Sequence, residues 1–170
     1  DIAEMDAAEH QRAMGKIGML FQGGALFDSL PVWENVAFGL IAGKQVERHE
    51  AKDVALRNLA AVGLGAEVGE LSPSELSGGM QKRVALARAI ATEPEVTLFD
   101  APAPGHAPSL ADNITGLSRQ CVGQLGATAL SITHDMGSVR RIADRVAMLH
   151  EGRIVWSGPI GEIDRSGSDH

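Results

Sequence analysis

Residues 76–83 read Leu76-Ser77-Gly78-Gly79-Met80-Gln81-Lys82-Arg83, and an apolar-faced run follows them from Val84 to Ala91. A small polar residue and two glycines at the start of a predicted helix leave several backbone N–H groups unpaired and uncovered, and the helix dipole adds partial positive charge there. This pattern predicts an anion site, here for phosphate. Taken alone, Ser77 has a second interpretation, an ordinary N-cap in which the glycines only ease the turn.

Two strand-like runs lie further along the chain, and each ends in polar residues. Val96–Phe99 is almost wholly apolar and is followed by Asp100, whereas Ala127–Thr133 is followed by His134. A helix candidate, Pro108–Gln124, lies between them, so strands and helices alternate. We therefore expect Val96–Phe99 to be a fully buried strand whose carboxyl end presents Asp100 where an open α/β sheet places its ligand chemistry.

An ordered set of motifs carries a family resemblance. Its members are Gln22, Leu76–Met80, Val96–Asp100 and His134. In this order they resemble the nucleotide-binding subunit of an ABC transporter, from about residue 17 to residue 159. Within that superfamily, Gly18–Phe27 together with Met80 resembles the Mla-type ATPase, which works in phospholipid transport between the two membranes of Gram-negative bacteria. The resemblance implies ATP-driven lipid transport through a membrane permease, for outer-membrane lipid asymmetry.

The same resemblance implies an architecture. It predicts an α/β fold, namely a partial P-loop NTPase (RecA-like) ABC ATPase core with a mainly parallel sheet plus an inserted helical subdomain. Residues 1–170 would form a single ABC ATPase domain lacking its N-terminal P-loop part. Residues 26–91 would be the helical subdomain with the signature motif, and residues 92–165 the C-terminal part of the core. We expect the strands of the sheet around Lys16, Val96, Ala127, Val146 and Arg153.

Local signals place the remaining elements. Pro31 predicts the start of a helix over Val32–Ile41, and a second helix over Val46–Val62 stops at Gly63. Glu151-Gly152 predicts a hairpin turn between two strands.

The resemblance also assigns roles to single residues. Gln22 and His134 are the implied catalytic residues, Gln22 sensing the γ-phosphate and Mg²⁺, and His134 donating to a phosphate oxygen. Asp100 and Gln22 would hold Mg²⁺ through water. The implied ATP-binding residues are Ser77, Gly78, Gly79, Met80, Gln22 and His134. Without the resemblance, Gln22 is a polar residue opening a loop and His134 a structural histidine.

Several positions depart from the family pattern. The G-x-x-x-x-G-K-[ST] P-loop, whose amides cradle phosphates, does not occur in residues 1–170. In the family the P-loop precedes the Gln loop, so the resemblance places it upstream of residue 1. A start at Asp rather than Met suggests processing or an excerpt. Ala101 stands at the catalytic glutamate position, and Ala107 replaces an aspartate that crosses the dimer interface, with His106 a weak substitute. We therefore predict no detectable ATP hydrolysis by this chain alone.

Composition excludes several classes of protein. The 170 residues are 44% hydrophobic and 22% charged, as in one soluble globular domain. A net charge of −7 argues against a nucleic-acid partner, and a lone cysteine, Cys121, excludes an internal disulfide. No apolar run reaches the ~18 residues that a membrane helix needs. The family resemblance, not the composition, implies a cytoplasmic location, peripheral on the inner membrane through a permease.

The resemblance implies two partners, a membrane permease subunit and a second ATPase subunit that completes a dimer. Ser77 and Gly79 would act on a nucleotide held mainly by that second subunit. Leu26, Phe27 and Trp33 form either a docking face for a permease helix or part of the core. A competing hypothesis is a non-catalytic remnant or binding module that docks on a permease or an intact ATPase subunit. A third is an engineered trap in which Ala101 stabilises ATP binding.

Overall fold

The computed structural model describes residues 4–43, 46–100 and 108–165. The chain divides into two compact units, and three parallel strands form the sheet of the first. The first unit spans Asp1–Ile132 and the second Thr133–His170. The elements of the first unit are α1 (Ala7–Gly15), β1 (Ile17–Leu20), α2 (Val32–Ala42), α3 (Arg48–Ala61), two 3-10 turns (Ala66–Glu70 and Pro73–Glu75), α4 (Gly78–Ile90), β2 (Val96–Asp100), α5 (Pro108–Leu125) and β3 (Thr128–Ile132). Within these described ranges, no helix has the length and apolar character of a membrane span.

The sheet runs in the order β1-β2-β3, and both strand pairs are parallel. In this register Leu20 lies beside Phe99, and Asp100 lies beside Ile132. The sheet and the helices on it confirm the predicted α/β fold.

The two faces of the sheet differ in burial. Leu20 and Phe99, which share one face, are 2% and 5% exposed, whereas Leu130 and Ile132 on the opposite face are 61% and 68% exposed. The prediction that Val96–Phe99 is fully buried is therefore wrong. Side chains alternate between the two faces of a strand, and α4 covers only the face that carries Leu20 and Phe99.

Close packing of α4 on β1 depends on one glycine. A Cβ on Gly18 would overlap the backbone carbonyl oxygen of Ala89 and come within 2.9 Å of Pro94 Cγ. Only glycine leaves room for this approach of helix to strand. Behind the contact, α4 buries Val84, Leu86 and their neighbours in the main core.

The helical layer matches the predicted pattern. α2 begins at Val32 directly after Pro31, and α3 buries Ala51, Ala55 and Leu59 along one face. α3 starts two residues later than predicted, because Glu47 caps it through a capping box with Glu50. The chain leaves it through Gly63 at φ +73°, as the glycine predicted.

The second unit contains α6 (Met136–Ile142), β4 (Arg145–His150), β5 (Arg153–Pro159) and a 3-10 turn (Ile160–Arg165). Glu151 and Gly152, at φ +46° and +76°, form the predicted turn, and β4 and β5 pair antiparallel. They form a two-stranded sheet of their own, so the expectation that the strands around Val146 and Arg153 join the parallel sheet is wrong. Because the turn is tight, β4 and β5 form their backbone hydrogen bonds with each other.

Candidate functional site

The N-terminus of α4 presents the glycine-rich motif to solvent. Ser77 is the N-cap, and its Oγ accepts a hydrogen bond from the Met80 amide at 3.3 Å. Ser77 and Gly78 are exposed, and a Cβ on Gly78 would meet no atom within 4 Å. The first amides of a helix have no intrahelical acceptor, so those of Gly78 and Gly79 can donate to a ligand. The N-cap interpretation is confirmed, and it leaves these donors available.

The segment before Ser77 is fixed by its own hydrogen bonds. Glu75 accepts from the Ser72 amide and from Ser72 Oγ, both at 2.8 Å, and these bonds lower the pKa of Glu75. Gln81 Nε2 on α4 donates to the Pro73 carbonyl oxygen at 2.9 Å. Hydrogen bonds therefore hold the turn at residues 72–75 that precedes Ser77, and Leu76 between them is buried.

Gln22 and Asp100 lie at the same edge of the parallel sheet. Because Leu20 and Phe99 are register partners, Gln22 comes two residues after this pair on β1 and Asp100 one residue after it on β2. Gln22 is exposed and Asp100 is half-buried. The carboxyl edge of such a sheet is where α/β proteins bind ligands.

The loop after Gln22 is held from two helices. The Gly24 amide donates to the Phe21 carbonyl oxygen at 2.9 Å, and Gly24 and Ala25 both have positive φ, +79° and +46°. Arg88 of α4 donates to the Gly24 and Ala25 carbonyl oxygens at 2.6 and 2.7 Å. From α2, Asn35 Oδ1 accepts from the Phe27 amide at 2.7 Å.

Sequence reasoning missed Arg88 and Asn35. Arg88 is the lone polar residue of the helical stretch Val84–Ile90, and Asn35 is one of two polar residues, with Glu34, in Val32–Leu40. That was the one signal available, and it does not identify the partner, because Arg88 contacts a loop more than sixty residues earlier.

His134 lies in the second unit, where its side chain is exposed. The next residue, Asp135, caps α6, accepting from the Gly137 and Ser138 amides at 3.1 Å. Its pKa is lowered, chiefly by the hydrogen bond from Ser138 Oγ. His134 therefore directly precedes a capped helix.

The structure brings some of the predicted site residues together and separates others. Gln22 and Asp100 share one sheet edge, and the loop after Gln22 packs on α4 near Ala85. Ser77 lies eight residues before Ala85, about 12 Å along the helix axis at 1.5 Å per residue. Ala101, His106 and Ala107 fall outside the described residues. Among those described, no group of three or more His, Cys, Asp or Glu side chains could hold a metal ion by itself.

Curated relatives cover nearly all of this chain. It is 41% identical over 167 residues to Protein TRIGALACTOSYLDIACYLGLYCEROL 3, chloroplastic, of Arabidopsis thaliana, which covers 89% of the chain and 48% of the relative. It is 39% identical to Methionine import ATP-binding protein MetN 1 of Bacillus cereus, covering 96% and 46% respectively. It is 36% identical to the Probable ribonucleotide transport ATP-binding protein mkl of Mycobacterium bovis, covering 94% and 44%. The chain thus spans about half the length of the curated relatives it matches.

The fold and a family model agree with these relatives. A dimeric structure of the ATP-binding cassette MJ0796, in a post-hydrolysis state bound to ADP and Pi, aligns with a TM-score of 0.79 at 29% identity, covering 92% of this chain and 68% of that one. The ABC transporter family model matches residues 1–104. The chain therefore belongs to the ABC transporter family, among the relatives of its ATP-binding subunits.

Proposed function

We propose that this chain is part of an ABC transporter ATP-binding subunit and that α4 offers its N-terminus to a nucleotide held mainly by a second ATPase subunit. The observation that carries this proposal is the exposed first turn of α4. There Ser77 and Gly78 are exposed, no atom lies within 4 Å of a Cβ placed on Gly78, and the amides of Gly78 and Gly79 have no intrahelical acceptor. Phosphate oxygens are the acceptors that suit such an end, because donors and helix dipole act together.

The separation along α4 supports a composite site. The Gln22 loop packs on α4 at Ala85, about 12 Å along the helix axis from Ser77. A ligand bound at the start of α4, on Ser77, Gly78, Gly79 and Met80, therefore lies about that far from the loop. One triphosphate therefore does not reach both groups along this helix. The similar cassette MJ0796 is described as dimeric, which agrees with two subunits sharing nucleotide. The division into a helical subdomain at 26–91 and a core part at 92–165 is part of the same proposal.

Gln22 and Asp100 suit a magnesium ion that arrives with ATP. Sites of this kind hold Mg²⁺ through one or two carboxylates, phosphate oxygens and water. Asp100 offers a half-buried carboxylate at the sheet edge where Gln22 also lies. When bound, the ion would neutralise developing phosphate charge. Gln22 would then orient water at the γ-phosphate, and His134 would donate to a phosphate oxygen.

An exposed aromatic pair is the proposed docking face for a permease. Phe27 and Phe38 are 40% and 41% exposed, and their ring centroids lie 4.5 Å apart. Of the three residues predicted to be either docking face or core, Trp33 belongs to the core at 7% exposure, and Leu26 packs against it. Phe27 alone keeps the docking role. This face would place the chain at the cytoplasmic side of the inner membrane.

The transported substrate is proposed to be a lipid. The supporting observations are the Mla-like stretch Gly18–Phe27 and the relative whose name contains that of a galactolipid, trigalactosyldiacylglycerol. Two other relatives are named for methionine import and ribonucleotide transport. The alternative is a binding module without turnover that docks on a permease or an intact ATPase subunit.

Equilibrium binding of a fluorescent ATP analogue with Mg²⁺ tests the proposal. The chain is titrated alone and with an intact homologous subunit that carries a P-loop. We expect no binding by the chain alone, and tighter binding by the mixture than by the partner alone. Ser77→Arg should abolish the gain, because it places a long cation over the open amides. Gln11→Arg, on the exposed side of α1, is the charge-matched control and should retain it.

Two outcomes would contradict the proposal. One is a mixture that binds no better than the intact partner, and the other is a gain that survives Ser77→Arg. Hydrolysis is a separate readout, since we expect the chain alone to turn over no ATP. A rate well above that of Ser77→Arg on clean protein would overturn that expectation.

A further inference from the structure

The guanidinium of Arg88 is the link between α4 and the loop that follows Gln22. Its two terminal nitrogens donate to successive carbonyl oxygens, Gly24 at 2.6 Å and Ala25 at 2.7 Å. The group also lies 5.8 Å from the ring centroid of Phe27. Among the residues that the structure describes, Arg88 forms no ion pair, so its charge is directed at the backbone of this loop.

The loop conformation makes those carbonyl groups available. Gly24 and Ala25 both lie in the left-handed region, which non-glycine residues such as Ala25 rarely adopt. Such a conformation persists only where surrounding contacts hold it. Gly24 is also buried, with Ala85 Cβ 3.5 Å from its ideal Cβ position. Ala85 and Arg88 are one helical turn apart, so a single face of α4 supports the turn.

We infer that Arg88 is the positioning residue that ties the Gln22 loop, residues 21–27, to α4. Bidentate donation fixes both the distance and the orientation of the loop relative to the helix. Since the other end of α4 carries Ser77, a displacement of the loop is transmitted along one continuous helix to the proposed nucleotide site. The tie itself is independent of nucleotide, whereas its functional consequence rests on the proposed function.

Amide hydrogen exchange tests the tie without nucleotide. In Arg88→Ala, the Gly24 amide should exchange about tenfold faster or more, because hydrogen bonds from a charged donor are lost. The Leu86 amide, inside α4, should keep its wild-type rate. In Arg88→Lys, the exchange rate of the Gly24 amide should lie between the rates in wild type and in Arg88→Ala, since an ammonium group lacks the two parallel donors of a guanidinium. Arg83→Ala is the matched control on the same helix, because Arg83 donates to the Gly63 carbonyl oxygen at 3.5 Å and makes no hydrogen bond to the Gln22 loop among the described residues.

A double-mutant cycle tests the functional consequence. The measured quantity is the gain in binding of the fluorescent ATP analogue with the intact partner, in wild type, Ser77→Ala, Arg88→Ala and the double variant. If Arg88 acts through the position of the start of α4, the losses in Ser77→Ala and Arg88→Ala should be less than additive. A purely structural role would give additive losses. Arg83→Ala should be additive with Ser77→Ala.

The two readouts separate the failure of this inference from the failure of the proposed function. Wild-type Gly24 exchange in Arg88→Ala, or equal acceleration at Gly24 and Leu86, would overturn the tie. Additive losses in the cycle would overturn the coupling. No gain with the wild-type chain would overturn the proposed function, while the exchange result would still decide the tie.

Discussion

Replacing Gly18 with alanine should strongly destabilise the first unit, because Gly18 lies where α4 packs on β1. The added Cβ would overlap the Ala89 carbonyl oxygen and lie 3.2 Å from the Ala89 carbonyl carbon. Both atoms belong to the backbone of α4, so no rotamer change relieves the overlap. The helix as a whole has to move away from β1.

The magnitude follows from the cost of overpacking. Extra methyl groups in a packed core cost about 1–3 kcal/mol, and an obstacle made of backbone puts Gly18→Ala near the upper end, at about 3 kcal/mol. Domains have a free energy of unfolding of only about 5–15 kcal/mol, so the loss is a large fraction of the total. For a urea m-value of about 2 kcal/mol per M, the midpoint should fall by about 1.5 M.

The matched control is a glycine with open space. Gly116, within α5, has no atom within 4 Å of its ideal Cβ position, so Gly116→Ala should gain about 0.5–1 kcal/mol from reduced flexibility. Urea unfolding should be followed by the fluorescence of Trp33 in a Trp156→Phe background, so that the signal reports on the first unit. A Gly18→Ala midpoint within error of wild type, with an unchanged m-value, would refute the argument.

Two further predictions concern hydrogen bonds that hold local structure. Asn35→Ala should lower the free energy of unfolding by about 1–3 kcal/mol, because the amide of Phe27 loses its acceptor, and the Leu30 carbonyl oxygen, 3.0 Å from Asn35 Nδ2, loses a donor. Urea unfolding measures the loss, and an unchanged Phe27 amide exchange rate would contradict the cause. Asp135 has a lowered pKa, so its cap is present above the unfolded pKa of about 3.9 and is lost as pH falls through the lower folded value. As pH falls through the folded pKa of Asp135, hydrogen exchange at the Gly137 and Ser138 amides should accelerate relative to an amide that Asp135 does not cap. In Asp135→Asn this pH-dependent acceleration should be absent.

The sequence was most informative where one residue type determines local backbone geometry. Pro31 located the start of α2, and the Glu151-Gly152 pair located the hairpin turn. It was less informative about burial, because an apolar run such as Val96–Phe99 does not tell how many faces of a sheet are covered. Leu130 at 61% exposure shows that one face is open.

The candidate site divides in the same way. Motif order proposed Ser77, Gln22 and Asp100 as site residues, and the parallel register places Gln22 and Asp100 at one edge of the sheet. Arg88 and Asn35 were not found, because their partners are carbonyl and amide groups that carry no side-chain signal. Contacts with the backbone of a distant loop depend on the tertiary fold, which local periodicity does not encode.

The two ends of α4 have different tasks under the proposed function. At its start the helix exposes unpaired amides around Ser77, and near its end it holds the Gln22 loop through Arg88. A 13-residue helix is about 20 Å long and moves as one body when its central turns are buried, as Val84–Ala87 are here. If a permease docks at Phe27, whose ring lies beside Arg88, the contact would act on the same helix that is proposed to meet the nucleotide. Coupling between permease and nucleotide then requires no rearrangement inside α4, only a small displacement of the whole helix relative to the sheet.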